Sequence, residues 1–327
     1  MSWMYRTLTI WPAKFLLWGA LIPLHNLVLI AAFTQAQEVQ EAPPAQETSK
    51  YRAPQASDGS LVWKLKPGQE LKVVSDQKMT MNMDMSFQKV TTESSNFSES
   101  TWKVTEVDSA GNANTEMTID RMKLIIDNNG NVISYDSDSS EEVDAMLASI
   151  VDSLESLIGK PIRCSISPRG EVSNVVVPKE LSDEQDRSIQ SSLMSEQTIK
   201  ELIKNSMVQF PGLDLKIGDT WEQTTEVDMG MFAITNRSQY RYLGVEDRES
   251  GPLHVIEVVM TQEFNESDSI EIEITEQNSK SMVYFDGIKG NLVESTMDQN
   301  VKMVIAMMDQ QIAQQVKQQM KVKISSK

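Results

Sequence analysis

The chain has 327 residues, of which 24% are charged, with 47 acidic against 30 basic side chains and a formal net charge of -17. That excess of acid, with no cluster of Lys and Arg, excludes a nucleic-acid backbone or an anionic membrane surface as the ligand. Cys164 is the one cysteine, so no intramolecular disulfide exists and packing alone must hold the fold.

Residues 1–36 read as a signal peptide. Arg6 and Lys14 are the only formal charges before Glu38, Phe15–Phe33 is mostly apolar, and Thr34-Gln35-Ala36 supplies small residues for cleavage after Ala36. The same apolar run is long enough to stay as an N-terminal membrane anchor, the minor alternative. Cleavage removes Arg6 and Lys14 and takes the net charge from -17 to -19. Residues 37–60 are Pro, Ala, Gln, Glu and Ser with little apolar content, which predicts a disordered linker. Folded structure is expected as a first β-rich half with two helices over 61–212 and a second β-rich half over 213–327.

In the first half, Leu65-Lys66-Pro67-Gly68 predicts a turn. Met79, Met81, Met83, Met85 and Phe87 then alternate with Thr80, Asn82, Asp84 and Ser86, a period of two that puts the methionines on one face of a strand. Strands follow over about Thr91–Glu106 and Met117–Ile126, the second with an irregularity near Arg121, and Asp127–Asn131 turns into Val132–Tyr135. Ser139 or Ser140 caps a helix that carries Val143, Met146, Leu147, Ile150, Leu154, Leu157 and Ile158 at helical spacing, and Gly159-Lys160-Pro161 stops it. Ile162–Ser167 and Val172–Val177 form a hairpin, and a second helix starts at Ser182, with a break near Ser191-Ser192.

From residue 213 the pattern restarts. Leu215-Lys216-Ile217-Gly218 echoes Leu65–Gly68, Tyr240–Glu246 echoes Trp102–Asp108, and Phe285–Leu292 echoes Ile126–Val132, which points to a diverged internal repeat. Val301, Met303, Ile305 and Met307 alternate like the first methionine ladder. Ile312, Val316, Met320, Val322 and Ile324 share one parity but also sit at helical spacing in part; the clean alternation of Lys321–Ile324 favours a hairpin turning near 308–311. The fold class expected is mainly β with helices (α+β): two related halves of curved antiparallel sheet, each half-barrel-like, with helices packed against or between them.

Catalytic candidates thin out quickly. After cleavage His254 is the only histidine, and it lies on the apolar parity of its strand, where a packed core histidine is expected. There is no nucleophile elbow, zinc motif or phosphate loop, so no catalytic residue, no metal ligand and no cofactor is assigned. Cys164 shares parity with Ile162 and Ile166 and reads as a small buried hydrophobe. Alternate methionines on a strand project in parallel, nearly 7 Å apart, and converge only where the strand bends or a neighbouring strand adds methionines, which argues against Cu(I). The segment Asp136–Glu142 lacks calcium-loop spacing and reads as helix capping.

The order of Leu65–Gly68, the methionine ladder, Trp102, Gly159-Lys160-Pro161, Pro168-Arg169-Gly170 and Gly218-Asp219-Thr220-Trp221 resembles a family of uncharacterised exported bacterial proteins of planctomycete type, over about residues 61–324. The resemblance implies a periplasmic or extracellular setting and carries no activity. The leading expectation is an exported, non-catalytic protein binding an apolar or lipid-like ligand in a groove lined by Met79, Met81, Met83, Met85, Phe87, Met303 and Met307, because methionine adapts to varied apolar shapes. The alternatives are a structural or protein-interaction module of the envelope with a filled core and, behind it, a periplasmic copper-binding protein. Partners are an apolar small molecule or lipid, or an envelope protein, and not nucleic acid.

Overall fold

Strand side chains alternate between faces, so the long alternating runs make a sheet with one apolar and one charged side. The computed structural model describes residues 50–85, 88–140, 143–144, 148–178, 195–212, 214–228, 233–265, 271–307 and 310–327. Its strands are β1 (Glu70–Met85), β2 (Gln88–Val107), β3 (Ala113–Asn128), β4 (Asn131–Asp136), β5 (Pro161–Ile166), β6 (Val172–Val176), β7 (Thr220–Asp228), β8 (Ala233–Arg248), β9 (Gly251–Phe264), β10 (Glu271–Asp286), β11 (Asn291–Met307) and β12 (Gln310–Ser326). Helices α1 (Ala148–Glu155) and α2 (Glu196–Lys204) lie between strands in sequence. The signal peptide and residues 37–49 of the expected linker lie outside the described residues.

The expectation of two half-barrel halves is overturned. All twelve strands form one antiparallel sheet in the order β6-β5-β3-β2-β1-β12-β11-β10-β9-β8-β7, with β4 pairing the far end of β3. Strand β1 runs beside β12 from Leu71↔Ser326 to Met85↔Ile312, so one ladder joins the two halves of the chain in a single sheet. Among the described residues no ladder joins β6 to β7, and the sheet stays open at both edges. Alternation dictates which side chains of a strand point inward; it does not say which distant strand is its neighbour.

The echoed turns nevertheless share one hydrogen-bond plan. Gly68 N–H donates to Val104 O and Gln69 N–H to Lys66 O; Gly218 N–H donates to Tyr242 O and Asp219 N–H to Lys216 O. Both glycines need positive φ, +78° and +92°. The irregularity expected near Arg121 is a register shift in the β2–β3 ladder between Glu99 and Ser100, and Arg121 pairs with Asp136. The C-terminal segment is the hairpin β11–β12.

Helix α1 occupies the end of the first expected helix and lays Val151 and Leu154 on Met122, Leu124, Ile126, Ile133 and Tyr135. Ser195 caps α2 by accepting from Thr198 N–H, and Ile199, Leu202 and Ile203 are buried. The expected start of that helix at Ser182 lies outside the described residues. Helix α2 packs against both edge strands, β6 and β7.

The segment after α2 fastens three separate parts of the chain. Phe210 N–H donates to Arg169 O in the β5–β6 turn, Val208 O accepts from Trp63 Nε1, and Gln209 O accepts from Trp221 Nε1 of β7. Phe210 also meets Phe285 edge-on at 4.9 Å, and Trp63 meets Phe285 at 5.3 Å. A Cβ on Gly170 would stand 2.2 Å from Val208 O, so only glycine lets this turn close. Residues 50–60, expected to be free linker, are tied down instead: Arg52 exchanges both backbone hydrogen bonds with Val245, and Ser60 N–H donates to Gly287 O. Their polar composition hid this because the fastening uses backbone and ionic groups, with Tyr51 the apolar side chain packed against Leu253, Val255 and Tyr284.

Phe210→Ala removes a ring 3% exposed from this junction. The expected loss is about 3–5 kcal/mol of unfolding free energy in urea; a loss below about 1 kcal/mol contradicts the fastening role.

Candidate ligand-binding site

The ladders place the inward residues in rows that cross the sheet. Towards the end where the β1–β2 and β11–β12 hairpins turn, Met83 sits between Val90 and Gln314, and Gln314 faces Met303. One row back, Met81 sits between Thr92 and Val316, which faces Val301. Met79, Met81, Met83 and Met85 are 3%, 0%, 4% and 9% exposed, and they form one apolar cluster with Val90, Val301, Met303, Ile305, Ile312 and Val316. The structure thus brings five of the seven predicted residues, Met79, Met81, Met83, Met85 and Met303, to one face. Met307 pairs with Gln310 at the end of β11, and Phe87 lies outside the described residues.

Every residue of that cluster comes from β1, β2, β11 or β12, with Ile272 and Ile274 of β10 packed against it. Among the described residues no helix contributes to it, whereas α1 packs on the β3–β4 face and α2 on the base.

Behind the methionines runs a feature the sequence reading passed over: a belt of uncharged polar side chains on the same inward parity. Gln77, Ser94, Asn96, Gln314, Gln318, Ser279, Asn236 and Ser238 are all buried. Gln299 Nε2 donates to Gln262 Oε1 at 3.2 Å, Gln262 Nε2 donates to Asn236 Oδ1 at 3.1 Å, and Gln314 Nε2 donates to Met81 Sδ at 3.1 Å. Gln77, 2% exposed, has neither amide atom bonded, and Gln277 Oε1 and Ser279 Oγ are also without a partner. The signal was visible. Gln77 precedes the methionine ladder at its own parity, and Gln314 and Gln318 interrupt the apolar parity of β12.

Part of this belt borders a gap. Strands β9 and β10 pair only from Ser281↔Val258 to Phe285↔His254, although β9 runs on to Phe264 and β10 begins at Glu271. Gln277 and Ser279 lie on the unpaired stretch of β10, and Gln262 on that of β9. The Gln299–Gln262–Asn236 amide chain spans the place where the backbone ladder is missing.

His254 is 3% exposed and belongs to a fastening rather than to this face. A carbonyl only accepts, so His254 Nε2–H donates to Asp58 O at 3.3 Å, and Nδ1 accepts from the Tyr242 hydroxyl at 2.7 Å. Burial pushes the His254 pKa down and the Tyr242 pKa up. The Asp58 carboxylate takes two hydrogen bonds from Arg52, which hold its pKa at about 2 against the effect of burial, and Arg52 also grips Asp247. Cys164 is buried against Thr115, and burial raises its pKa, which keeps it an unreactive thiol. Asp136 is committed to Arg121 and Lys123. Among the described residues no group of three or more His, Cys, Asp or Glu is placed to hold a metal ion. A cleft of about 380 Å³ is lined by Asp76, Lys78, Phe97, Arg121 and Lys123 among others, but the charges of Arg121 and Lys123 are already neutralised by Asp136 and Asp138.

The profile of a family of unknown function, DUF6263, matches residues 110–275. The chain belongs to this family. The match runs from the turn before β3 into β10, so the methionine strands β1, β11 and β12 lie outside it. No curated protein matches the chain in sequence. Among solved structures it is similar to lipovitellin, from a study of lipid–protein interactions, with 12% identity and a TM-score of 0.42. That likeness covers 80% of this chain, which spans only 26% of the lipovitellin chain. It is similar also to an outer membrane channel from Pseudomonas putida F1, with 6% identity, coverage of 84% and 100%, and a TM-score of 0.23. A third likeness is the translocator domain of the autotransporter NalP from Neisseria meningitidis, with 7% identity, coverage of 79% and 89%, and a TM-score of 0.20. At TM-scores below 0.5 none of the three establishes a common fold.

The His254 fastening sets a pH dependence. Its folded pKa is lowered, so below the ordinary histidine range the unfolded chain binds the proton that the folded chain refuses, and stability falls as pH drops. Asp58 adds a second loss as pH falls from about 4 towards 2. The melting temperature is expected to fall between pH 7 and pH 5, and His254→Gln flattens that step. An unchanged slope in the variant contradicts the assignment.

Proposed function

We propose that this chain is an exported, non-catalytic protein that binds an apolar, lipid-like ligand on its methionine-lined inner face. The observation that carries the reading is the cluster around Met79–Met85 and Met303: one face of neighbouring strands, rich in the most adaptable apolar side chain, with no described helix packed on it. An unbranched thioether side chain re-packs at small cost, so such a face admits a guest without a preformed hollow.

Export rests on the leader at residues 1–36, and the charge pattern of the sheet fits a chain folded in water. Outward side chains form the pairs Lys89–Asp84, Lys302–Glu276, Arg237–Glu263 and Lys280–Glu257. A membrane-spanning β-barrel needs the reverse, an apolar band outside and polar groups within. Among the described residues no helix is long and apolar enough to cross a membrane.

The burial of all four ladder methionines favours a second reading, an envelope structural or interaction module whose core is simply full. For copper the chemistry is less favourable, since Met81 Sδ already accepts a hydrogen bond from Gln314.

The triple variant Met81→Leu, Met83→Leu, Met85→Leu separates the two main readings. Swaps of this kind cost less than about 1.5 kcal/mol each, so the variant stays folded but loses adaptability. With N-phenyl-1-naphthylamine as the fluorescent probe, wild type is expected to bind and the variant to bind about tenfold more weakly, a difference of about 1.4 kcal/mol. A change in melting temperature without any change in probe affinity supports the filled core.

A further inference from the structure

Resting on that reading, we infer that the ligand is an uncharged amphiphile. Its hydrogen-bonding group meets the Gln77 amide, and its chain lies along Met79–Met85. Gln77 is 2% exposed on the inward face of β1, one alternation before Met79, and its Nε2 donor and Oε1 acceptor both lack partners. A buried amide is kept in an apolar interior only where something satisfies it. Among the described groups nothing does, and its strand neighbours at that row are Asn96 and Met320.

The second observation is the charge of the face. From the Gln77 row to the hairpin turns, the inward residues of β1, β2, β8, β9, β10, β11 and β12 are Met, Val, Ile, Phe, Tyr, Ser, Thr, Asn or Gln, with no Asp, Glu, Lys or Arg. The charged residues of the same stretches, such as Lys78, Asp84, Lys302 and Lys317, all have the opposite parity. An ionised headgroup entering here meets no countercharge and loses its hydration. A neutral group that both donates and accepts, an amide or a hydroxyl, matches a side chain that offers both an NH2 donor group and a carbonyl acceptor.

The third observation is length and direction. From Gln77 to Met85 the strand extends about 27 Å at its usual rise, more than the roughly 15 Å of one leaflet of a bilayer core. A headgroup held at Gln77 therefore leaves the whole methionine ladder for the tail. Ser279 Oγ and Gln277 Oε1, also unpartnered, lie where β10 leaves β9, so the polar belt reaches the one break in this part of the sheet.

The test uses the full mature chain at pH 7.4, with N-phenyl-1-naphthylamine displaced by oleamide, monooleoylglycerol, oleate or oleylamine. Oleamide and monooleoylglycerol are expected to displace the probe at concentrations at least about tenfold below those needed for oleate or oleylamine, and Gln77→Leu to weaken oleamide about tenfold more than it weakens the probe. Gln77→Leu is also expected to melt no lower than wild type, because it removes an unsatisfied buried amide; Gln77→Met serves as the second variant if Gln77→Leu does not fold. Oleate competing as well as oleamide, or oleamide binding unaltered by both variants, overturns the inference and leaves the apolar-binding reading standing. Failure of wild type to take up the probe overturns that reading, and the inference with it.

Discussion

The pairing of β1 with β12 is the constraint on which the rest depends. It joins residues more than two hundred positions apart in one register, and that register decides the character of both faces. With Met81 opposite Val316 and Met83 opposite Gln314, the methionines and amides turn inward while Asp76 faces Lys321 on the other side. A one-residue slip of β1 would bring Lys78 and Asp84 into the interior and expose the ladder, and a slip of β12 would do the same with Lys317. The cost of burying those charges, added to that of exposing the methionines, makes this register self-selecting.

The interior then divides into two kinds of packing. At the base, Trp63, Phe210 and Phe285 meet edge to face, Gly170 lets a turn touch Val208, and tryptophan N–H groups clamp the segment after α2. Rings and close backbone contacts have few alternative arrangements, so this end is stiff. Towards the hairpin turns, methionines and amides, which have many, are interleaved with the stiffer Val90, Val301, Ile305, Ile312 and Val316. Where the β9–β10 ladder stops, Gln299, Gln262 and Asn236 carry the connection through side chains instead of backbone. A stiff base holding an adaptable opposite end is a division that suits reversible uptake of an apolar guest.

Local order was legible in the sequence to a large extent. Alternation found the methionine ladder and the C-terminal hairpin, parity placed Cys164 and His254 inside, and the register shift fell beside Arg121 where the apolar spacing broke. The arrangement of the strands was not legible, because nothing in Met79–Met85 names Ile312–Gln318 as its neighbour. Echoed turns drew attention to two halves, and a single ladder, β1 with β12, joins the strands β1–β6 to the strands β7–β12 in one sheet. Residues 50–60 were misjudged on composition, since Arg52 and Asp58 act through an ion pair and backbone bonds. The polar belt is legible only with the register in hand: Gln77, Gln314 and Gln318 share the inward parity, but parity marks a strand's face through its apolar residues, and uncharged amides carry no such mark.

Native mass spectrometry of the mature chain, purified without detergent from cells that naturally produce it, tests the central claim most directly. A population carrying a neutral lipid-sized mass is expected, released by organic extraction and absent from the chain refolded from denaturant. The bare polypeptide mass alone, from cells and after incubation with neutral lipid alike, would contradict it and make the methionine face an ordinary core.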